Sequence, residues 1–281
     1  MTMSQPASND AASRAHVARA GAVRYLRGRQ SPNGGFCFYR SQYVEEPNLS
    51  DTHHAVAALR LLGAEIPRRA ALTKYLRNFA ARDVYALYYK LFTLDRLASA
   101  PPGDPAELAQ VRELAFTVPR SGIAHRGWLE RTFRVLRLKR RFAAPPDWPP
   151  VAAYIEHPEA GRGGDYKPNL PDTFLCLGMR ALLAAPPAHP ETRAFVDALQ
   201  VPVFGFTATI DSRAATLAVI HAGLECCALL GLRLRFRADI LAFVLGCQAA
   251  DGGFAPVPGA LPDIEMSRRA LQILRRLDHD A

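Results

Sequence analysis

The sequence predicts an all-α chain in which six helical hairpins close into an α/α barrel, an α6–α6 toroid. Three observations lead there. A seven-residue phrase, Q-x-x-[N/D]-G-G-F, occurs near each end, as Gln30–Phe36 and as Gln248–Phe254. Helical patterns fall into two alternating classes, one of which usually opens on an aspartate, and strand signals are sparse. Finally, the two clearest copies of the phrase lie where first and last repeats would meet in a closed ring, whereas an open solenoid would need polar capping repeats at those places.

The elements follow in order. Residues 1–13, MTMSQPASNDAAS, are polar and lack the apolar stretch of a secretory signal. They are expected to form a disordered tail, leaving 14–281 as a single domain. The first outer-class helix is expected over 15–29 and leads into the first phrase. Leu49-Ser50-Asp51-Thr52-His53-His54 then opens the first inner-class helix, which stops at Gly63. An aspartate at a helix start accepts the unpaired amides of the first turn, and glycine suits the C-terminal cap. Further outer-class helices are expected near 68–81, 105–116, 149–155, 190–199 and 237–247. Their inner-class partners open at Asp83, near Gly127-Trp128, at Asn169-Leu170-Pro171-Asp172-Thr173, at Asp211-Ser212 and at Leu261-Pro262-Asp263. The apolar loop Val201–Phe206 reads equally as a lid or as a buried connection.

With 281 residues, 49% of them apolar, the chain can bury a sizeable core. It contains no apolar run of the roughly 18 residues that suggest a spanning helix, and a cytoplasmic protein is expected. Its five cysteines are odd in number and form no C-x-x-C pair, so they are expected to be buried small hydrophobes. The formal charge is +9, concentrated at Arg131, Arg134, Arg137, Lys139, Arg140 and Arg141 and again at Arg233, Arg235 and Arg237. Such a surface suits an anionic substrate or contact with a membrane surface. Nucleic acid is not expected, since no zinc-finger or RNA-recognition signature accompanies the charge.

With its lead-in, the phrase resembles the QW motif of the terpene cyclase and protein prenyltransferase superfamily, whose squalene–hopene-cyclase-like members repeat it. The first copy supplies Ala22, Tyr25, Leu26, Gln30, Gly34 and Phe36. The second supplies Phe243, Val244, Gln248, Gly252 and Phe254, with Ile240 where a small residue is usual. Phe replaces Trp in both, so the chain is a divergent relative. Physically, the glycines permit a tight turn, the glutamine amide can bond backbone groups left open at helix ends, and the Phe fills the seam between repeats. The resemblance implies parallel inner helices whose N-terminal ends ring an apolar cavity for isoprenoid chains.

The superfamily's catalytic motifs carry over only in fragments. The zinc set of the prenyltransferases would need Cys two residues after Asp172 or Asp211, where Phe174 and Arg213 stand, and His where Met266 stands. Without the thiolate and imidazole that zinc prefers, no metal site and no cofactor are expected. Tyr166 and Asn169 occupy places where diphosphate-binding cations would sit, whereas His125-Arg126-Gly127-Trp128 resembles a His-x-Gly-Tyr diphosphate-contacting segment. Of the proton-donating D-x-D-D of squalene-type cyclases, Thr209-Ile210-Asp211-Ser212 keeps only the middle aspartate. Asp211 therefore reads either as an acid raised by burial or as a helix cap. No D-D-x-x-D motif is present, and magnesium-dependent ionisation is not expected.

By analogy with the family, the second and third residues after each leading aspartate face the cavity. That selects His53, His54, Tyr85, Phe174, Leu175, Arg213, Glu265 and Met266. Tyr89 shares a helical face with Tyr85, and Trp128 and Arg131 join from the third repeat. Asp211 or Glu265 would act as general acid or base, His53 would relay a proton, and Arg213 would bind an anionic head group. The alternatives are a satisfied core histidine at 53 and a structural Arg213–Glu265 pair. The expected function is that of a zinc-free cyclase or isomerase acting on an isoprenoid or other apolar small molecule by acid–base chemistry. Two other readings stay open: a non-catalytic barrel that binds a lipid or a partner protein, and a prenyltransferase that lacks zinc.

Overall fold

A computed structural model of the chain describes residues 6–40, 45–98, 103–117, 125–143, 151, 155, 169–184 and 190–279. Eleven helices lie among them. The inner helices are α2 (Leu49–Leu61), α4 (Val84–Arg96), α6 (Arg126–Phe142), α7 (Leu170–Leu182), α9 (Leu217–Leu230) and α11 (Ile264–His279). The outer helices are α1 (Pro6–Gly28), α3 (Arg69–Asn78), α5 (Pro105–Glu113), α8 (Pro190–Ala198) and α10 (Arg237–Gly246). Helix α1 already includes residues 6–13 of the expected tail. The outer helix expected over 149–155 falls mostly outside the described residues. Val151 and Ile155 are helical and fully buried.

Each inner helix packs on the next, α2 on α4, α4 on α6, and so on to α11, which packs back on α2 and closes the ring. The N-terminal ends of neighbours meet. Arg126 at the start of α6 reaches Asp172 in the first turn of α7 at 3.0 Å, and His54 of α2 lies 3.9 Å from Glu265 of α11. The first amides of α7 and α9 donate to the loops that lead into the next inner helix, Leu170 to Ala208 O and Leu217 to Pro256 O. These neighbours therefore run in the same direction.

The sequence explains the two layers. Helix α9, LAVIHAGLECCALL, is apolar nearly all round, as a helix buried on several sides must be. Helix α3 is amphipathic, with Leu72 and Leu76 on one face and fully buried. Lys90 of α4 ties the layers together through Glu107 of α5, at 2.5 Å, and Phe79 O, at 2.8 Å. All five cysteines are buried and none is in a disulfide. Burial pushes the Cys227 thiol up to about 11 and that of Cys247 to about 12, which keeps them in the unreactive thiol form. Among the described residues no helix is long and apolar enough to cross a membrane.

The duplicated phrase builds two equivalent seams. Gln30 Nε2 donates to Gly34 O at 2.9 Å and to Pro67 O, just before α3, at 2.8 Å. Gln248 Nε2 donates to Gly252 O at 2.9 Å and to Ala18 O of α1 at 2.8 Å. The second glutamine thus joins the last repeat to the first. Gly34 and Gly252 have φ of 94° and 91°. A Cβ on Gly34 would lie 2.1 Å from Leu72 N, and one on Gly252 would lie 2.4 Å from Gly21 O, so only glycine fits. Phe36 and Phe254 are fully buried, and their amides donate to Thr52 Oγ1 and Ser267 Oγ. The tyrosines against the two turns also match, Tyr75 OH donating to Pro47 O and Tyr25 OH to Pro262 O.

The loop Val201–Phe206 is a third, altered seam rather than a lid. Strands β3 (Gln200–Val201) and β4 (Gly205–Phe206) form a small hairpin, and a second hairpin pairs β1 (Phe36–Arg40) with β2 (Glu45–Asn48). Gln200 Nε2 donates to Arg233 O, ahead of the next outer helix. Phe206 is fully buried and Thr207 N donates to Leu199 O, as Cys37 N does to Arg29 O and Ala255 N to Cys247 O at the other two seams.

Candidate functional site in the barrel cavity

The inner helices surround a cavity of about 480 Å³. What faces it follows from where each helix begins. The residue before each inner helix is its N-cap. Asn48, Asp83, His125, Asn169 and Thr216 each accept a first-turn amide through the side chain, and Asp263 accepts from Met266 N at 2.6 Å. The fifth residue after each cap lines the cavity: His53, Tyr88, Glu130, Phe174, His221 and Arg268. One helical turn deeper, the ninth residue does so on four helices: Arg134, Gly178, Glu225 and Gln272. This is the 3.6-residue period of an inward-facing stripe.

This register corrects several sequence expectations. Asp51 and Asp172 are third residues of their helices, with their amides bonded to caps Asn48 and Asn169, whereas Asp83 and Asp263 are themselves caps. Counting from each aspartate as though all were equivalent shifts two repeats by three residues. Tyr85 is consequently on the outer side, its ring under Arg134 at 4.5 Å, and with Arg131 it borders a separate depression. Met266 packs against the core. Helix α9 starts at Leu217 rather than at Asp211-Ser212. Asp211 and Arg213 are exposed in the preceding loop, outside the cavity lining, so Asp211 caps no helix and Arg213 does not pair with Glu265. His125 is an exposed cap, and Trp128 is buried beside Phe116, with its Nε1 donating to Thr117 O at 2.6 Å. Tyr166 lies outside the described residues.

His53, His54, Tyr89, Phe174, Leu175 and Glu265 do line the cavity. His53 is satisfied, with Nδ1 3.3 Å from Thr93 Oγ1 and its ring against His54, Tyr88 and Tyr89. Burial, helped by nearby arginines, holds the pKa of His53, His54 and His221 well below the ordinary histidine value, so all three are neutral at pH 7. Glu265 is bonded by Arg269 at 2.5 Å and 3.1 Å. Burial alone would raise its pKa, but Arg269 and Arg268 more than offset that and lower it. Glu265 is therefore an ionised carboxylate and not a proton donor at neutral pH.

Arg134, Arg137 and Arg140 of the basic run seen in the sequence line the cavity, a placement that their charge alone did not indicate. Six arginines border the cavity against three glutamates. Arg126 is neutralised by Glu130 and Asp172, Arg134 by Glu130, and Arg269 by Glu265. Arg137 donates to Tyr88 OH at 2.7 Å and lies over the rings of Phe92 and Phe133. Arg268 has no carboxylate within ion-pairing distance among the described residues, and its Nε has no hydrogen-bond partner. Burial and the neighbouring Arg269 pull its pKa down to about 10. His54 Nδ1 is also buried without a partner among the described residues, and the ring nitrogens of His221 and Gln272 Oε1 have at most a loose bond to each other. Unpaired buried polar atoms are costly, and here they gather in one cavity. Facing them are the apolar side chains of Phe133, Phe174, Leu175 and Leu229. The space suits an amphiphile, with donors for an anion and rings and alkyl groups for a chain.

The arrangement agrees with what sequence comparison finds. The profile of the prenyltransferase alpha-alpha toroid domain matches residues 7–93 and 172–281, well over half of the chain. No individual curated protein matches it. Helix order, ring closure and profile match together place the chain in the prenyltransferase alpha-alpha toroid family.

Proposed function

We propose that the protein is an isoprenoid enzyme that binds an isoprenyl diphosphate in the barrel cavity and releases diphosphate to begin a cyclase- or lyase-type reaction. One observation carries the reading: Arg137 and Arg268, which have no carboxylate partner among the described residues, face the same cavity as Phe133, Phe174 and Leu175. A neutral polyene would leave those charges uncompensated, whereas a diphosphate would supply the missing acceptors.

The cavity groups suit such a reaction. As the carbon–oxygen bond breaks, the electron pair leaves with the diphosphate, whose growing charge the guanidinium groups stabilise in a low-dielectric site. The allylic cation left behind meets the faces of Tyr88, Tyr89, Phe133 and Phe174, which attract positive charge. Loss of a proton from carbon then gives a neutral polyene or ring. Initiation by a protonated carboxylic acid is less well supported, because Asp211 is outside the cavity and Glu265 is ionised.

The test is a thermal-shift comparison of farnesyl and geranylgeranyl diphosphate with squalene, followed by mass spectrometry and assay of inorganic diphosphate. A ligand at 100 times its dissociation constant adds about 2.7 kcal/mol. Stabilisation by the diphosphates but not by squalene is expected, with diphosphate release. Equal stabilisation by squalene would sink the anionic reading, and stabilisation without turnover would make the barrel a carrier.

A further inference from the structure

His221 was not anticipated from the sequence, and its setting is unusual. It stands at the fifth position of α9, is almost fully buried, and lines the cavity between Phe174 and Arg268 of the neighbouring helices. The Phe174 ring meets it edge-on, with centroids 5.9 Å apart and planes at 86°. Apart from Gln272, neither ring nitrogen has a partner among the described residues. Gln272, one turn beyond Arg268 on α11, makes a side-chain hydrogen bond of loose geometry with the imidazole. His53, by contrast, is bonded to Thr93, and His54 faces the carboxylate of Glu265. His221 is thus the cavity histidine held only by Gln272 among the described residues, with a nitrogen left open, seated against the apolar wall where a chain would lie.

We propose that His221 is the base that ends the reaction and that Gln272 is the residue that positions it, an inference that rests on the isoprenyl diphosphate reading above. In this arrangement one imidazole N–H donates to Gln272 Oε1, and the other nitrogen keeps its lone pair toward the cavity. That nitrogen takes a proton from the carbon next to the cationic centre. The carbon–hydrogen electron pair becomes the new double bond, and the imidazolium gives its proton to solvent or to the departing diphosphate. Atoms and charge balance without a co-reactant. Burial, and after it the charges of Arg269, Arg268 and Arg276 on α11, disfavour a resting imidazolium. Glu225, one turn on in α9, also lines the cavity. The base therefore starts neutral.

The experiment uses the full chain and farnesyl diphosphate, scoring polyene against farnesol per diphosphate released. A cation that is not deprotonated is captured by water, so His221→Ala is expected to lower the polyene-to-farnesol ratio by about a hundredfold, the lower end of general-base contributions. Added imidazole should restore the ratio. Gln272→Leu should shift it in the same direction by less, and Gln272→Asn should recover part of it. A residue that merely fills space would change stability but not this ratio. Should His221→Ala fold poorly, His221→Gln keeps the polar volume, and its stabilisation by farnesyl diphosphate reports a folded site. An unchanged ratio in a folded His221 variant overturns the assignment while leaving diphosphate release, and so the proposed function, standing. If the wild type neither binds nor cleaves farnesyl diphosphate, both fall.

Discussion

Arg268 gives the sharpest test of the cavity's purpose. The fall in its pKa from 12.5 to about 10 means that keeping it charged costs the folded state about 3 kcal/mol, at roughly 1.4 kcal/mol per pH unit. The sign follows from linkage. The folded protein gives up this proton at lower pH than the unfolded chain, so the penalty is complete at neutral pH and is relieved only above about pH 10. Arg268→Met keeps much of the unbranched stem and removes the charge. Some packing and dipolar contact is lost with it, so a net gain of about 1–2 kcal/mol is expected, raising the apparent melting temperature by about 2–6 °C for a chain of this size. The same change removes a charge-assisted hydrogen bond to the ligand, worth roughly 1.5–3 kcal/mol, and farnesyl diphosphate should bind roughly 10- to 150-fold more weakly. Scanning fluorimetry without ligand and calorimetric titration with farnesyl diphosphate measure the two halves. If Arg268→Met lowers the melting temperature, the guanidinium is a structural cation whose surroundings already satisfy it. The cavity would then hold no unsatisfied cation that calls for an anionic ligand.

The other expectations concern the frame. His53, His54 and His221 have depressed pKa values, so the unfolded chain takes up three protons below about pH 6.5 that the fold refuses; stability should fall from pH 6.5 to 5 by up to about 4 kcal/mol per pH unit, as chemical denaturation at stepped pH would show, and a flat profile would mean that the cavity admits the charge. Gln248→Ala strands the carbonyls of Ala18 and Gly252 and should cost about 1–3 kcal/mol, with hydrogen exchange rising first along α1. Lys90→Met leaves Glu107 charged and buried and should cost about 3–5 kcal/mol, most of it recovered by adding Glu107→Leu; a double variant no more stable than the single would place the cost in packing instead. Asp211→Asn should leave diphosphate release unchanged, because residue 211 is exposed outside the cavity; loss of activity would return it to the chemistry.

The toroid was legible because its seams impose residue types that nothing else explains. A turn with φ near 90° and backbone 2.1 Å from an added Cβ accepts only glycine, and a buried glutamine must find its partners. The third seam was harder to read because Gln200 and Phe206 keep their spacing while Gly205 and Val203 take over the positive-φ positions. The cavity was half legible. Counting from aspartates found His53, His54, Phe174 and Leu175, where Asp51 and Asp172 hold the same place in their helices. It missed Tyr88, Arg268 and His221, where the aspartate is the cap itself or where Thr216 replaces it. Caps are interchangeable among Asp, Asn, Thr and His because any of them can accept a backbone amide. Residue identity at the helix start therefore does not fix register, and an offset of three moves a residue to a neighbouring face.

The same offset changes the chemistry that is inferred. Read from the aspartates, the ring mouth holds acids, and an acid-initiated cyclase follows. Read from the caps, the first layer holds two neutral histidines, Tyr88, Phe174, Glu130 and Arg268, and two of the cavity's carboxylates, Glu130 and Glu265, are already paired with arginines. An enzyme that starts by donating a proton needs a buried acid kept neutral, so it gains from apolar or anionic surroundings. This cavity does the reverse: its arginines hold Glu265 ionised, and burial, with those arginines, keeps its histidines uncharged. A site biased in that way is poor at giving protons, good at accepting negative charge, and able to take a proton once a carbocation offers one. Departure of an anion first and loss of a proton last is the order of events that such a field favours.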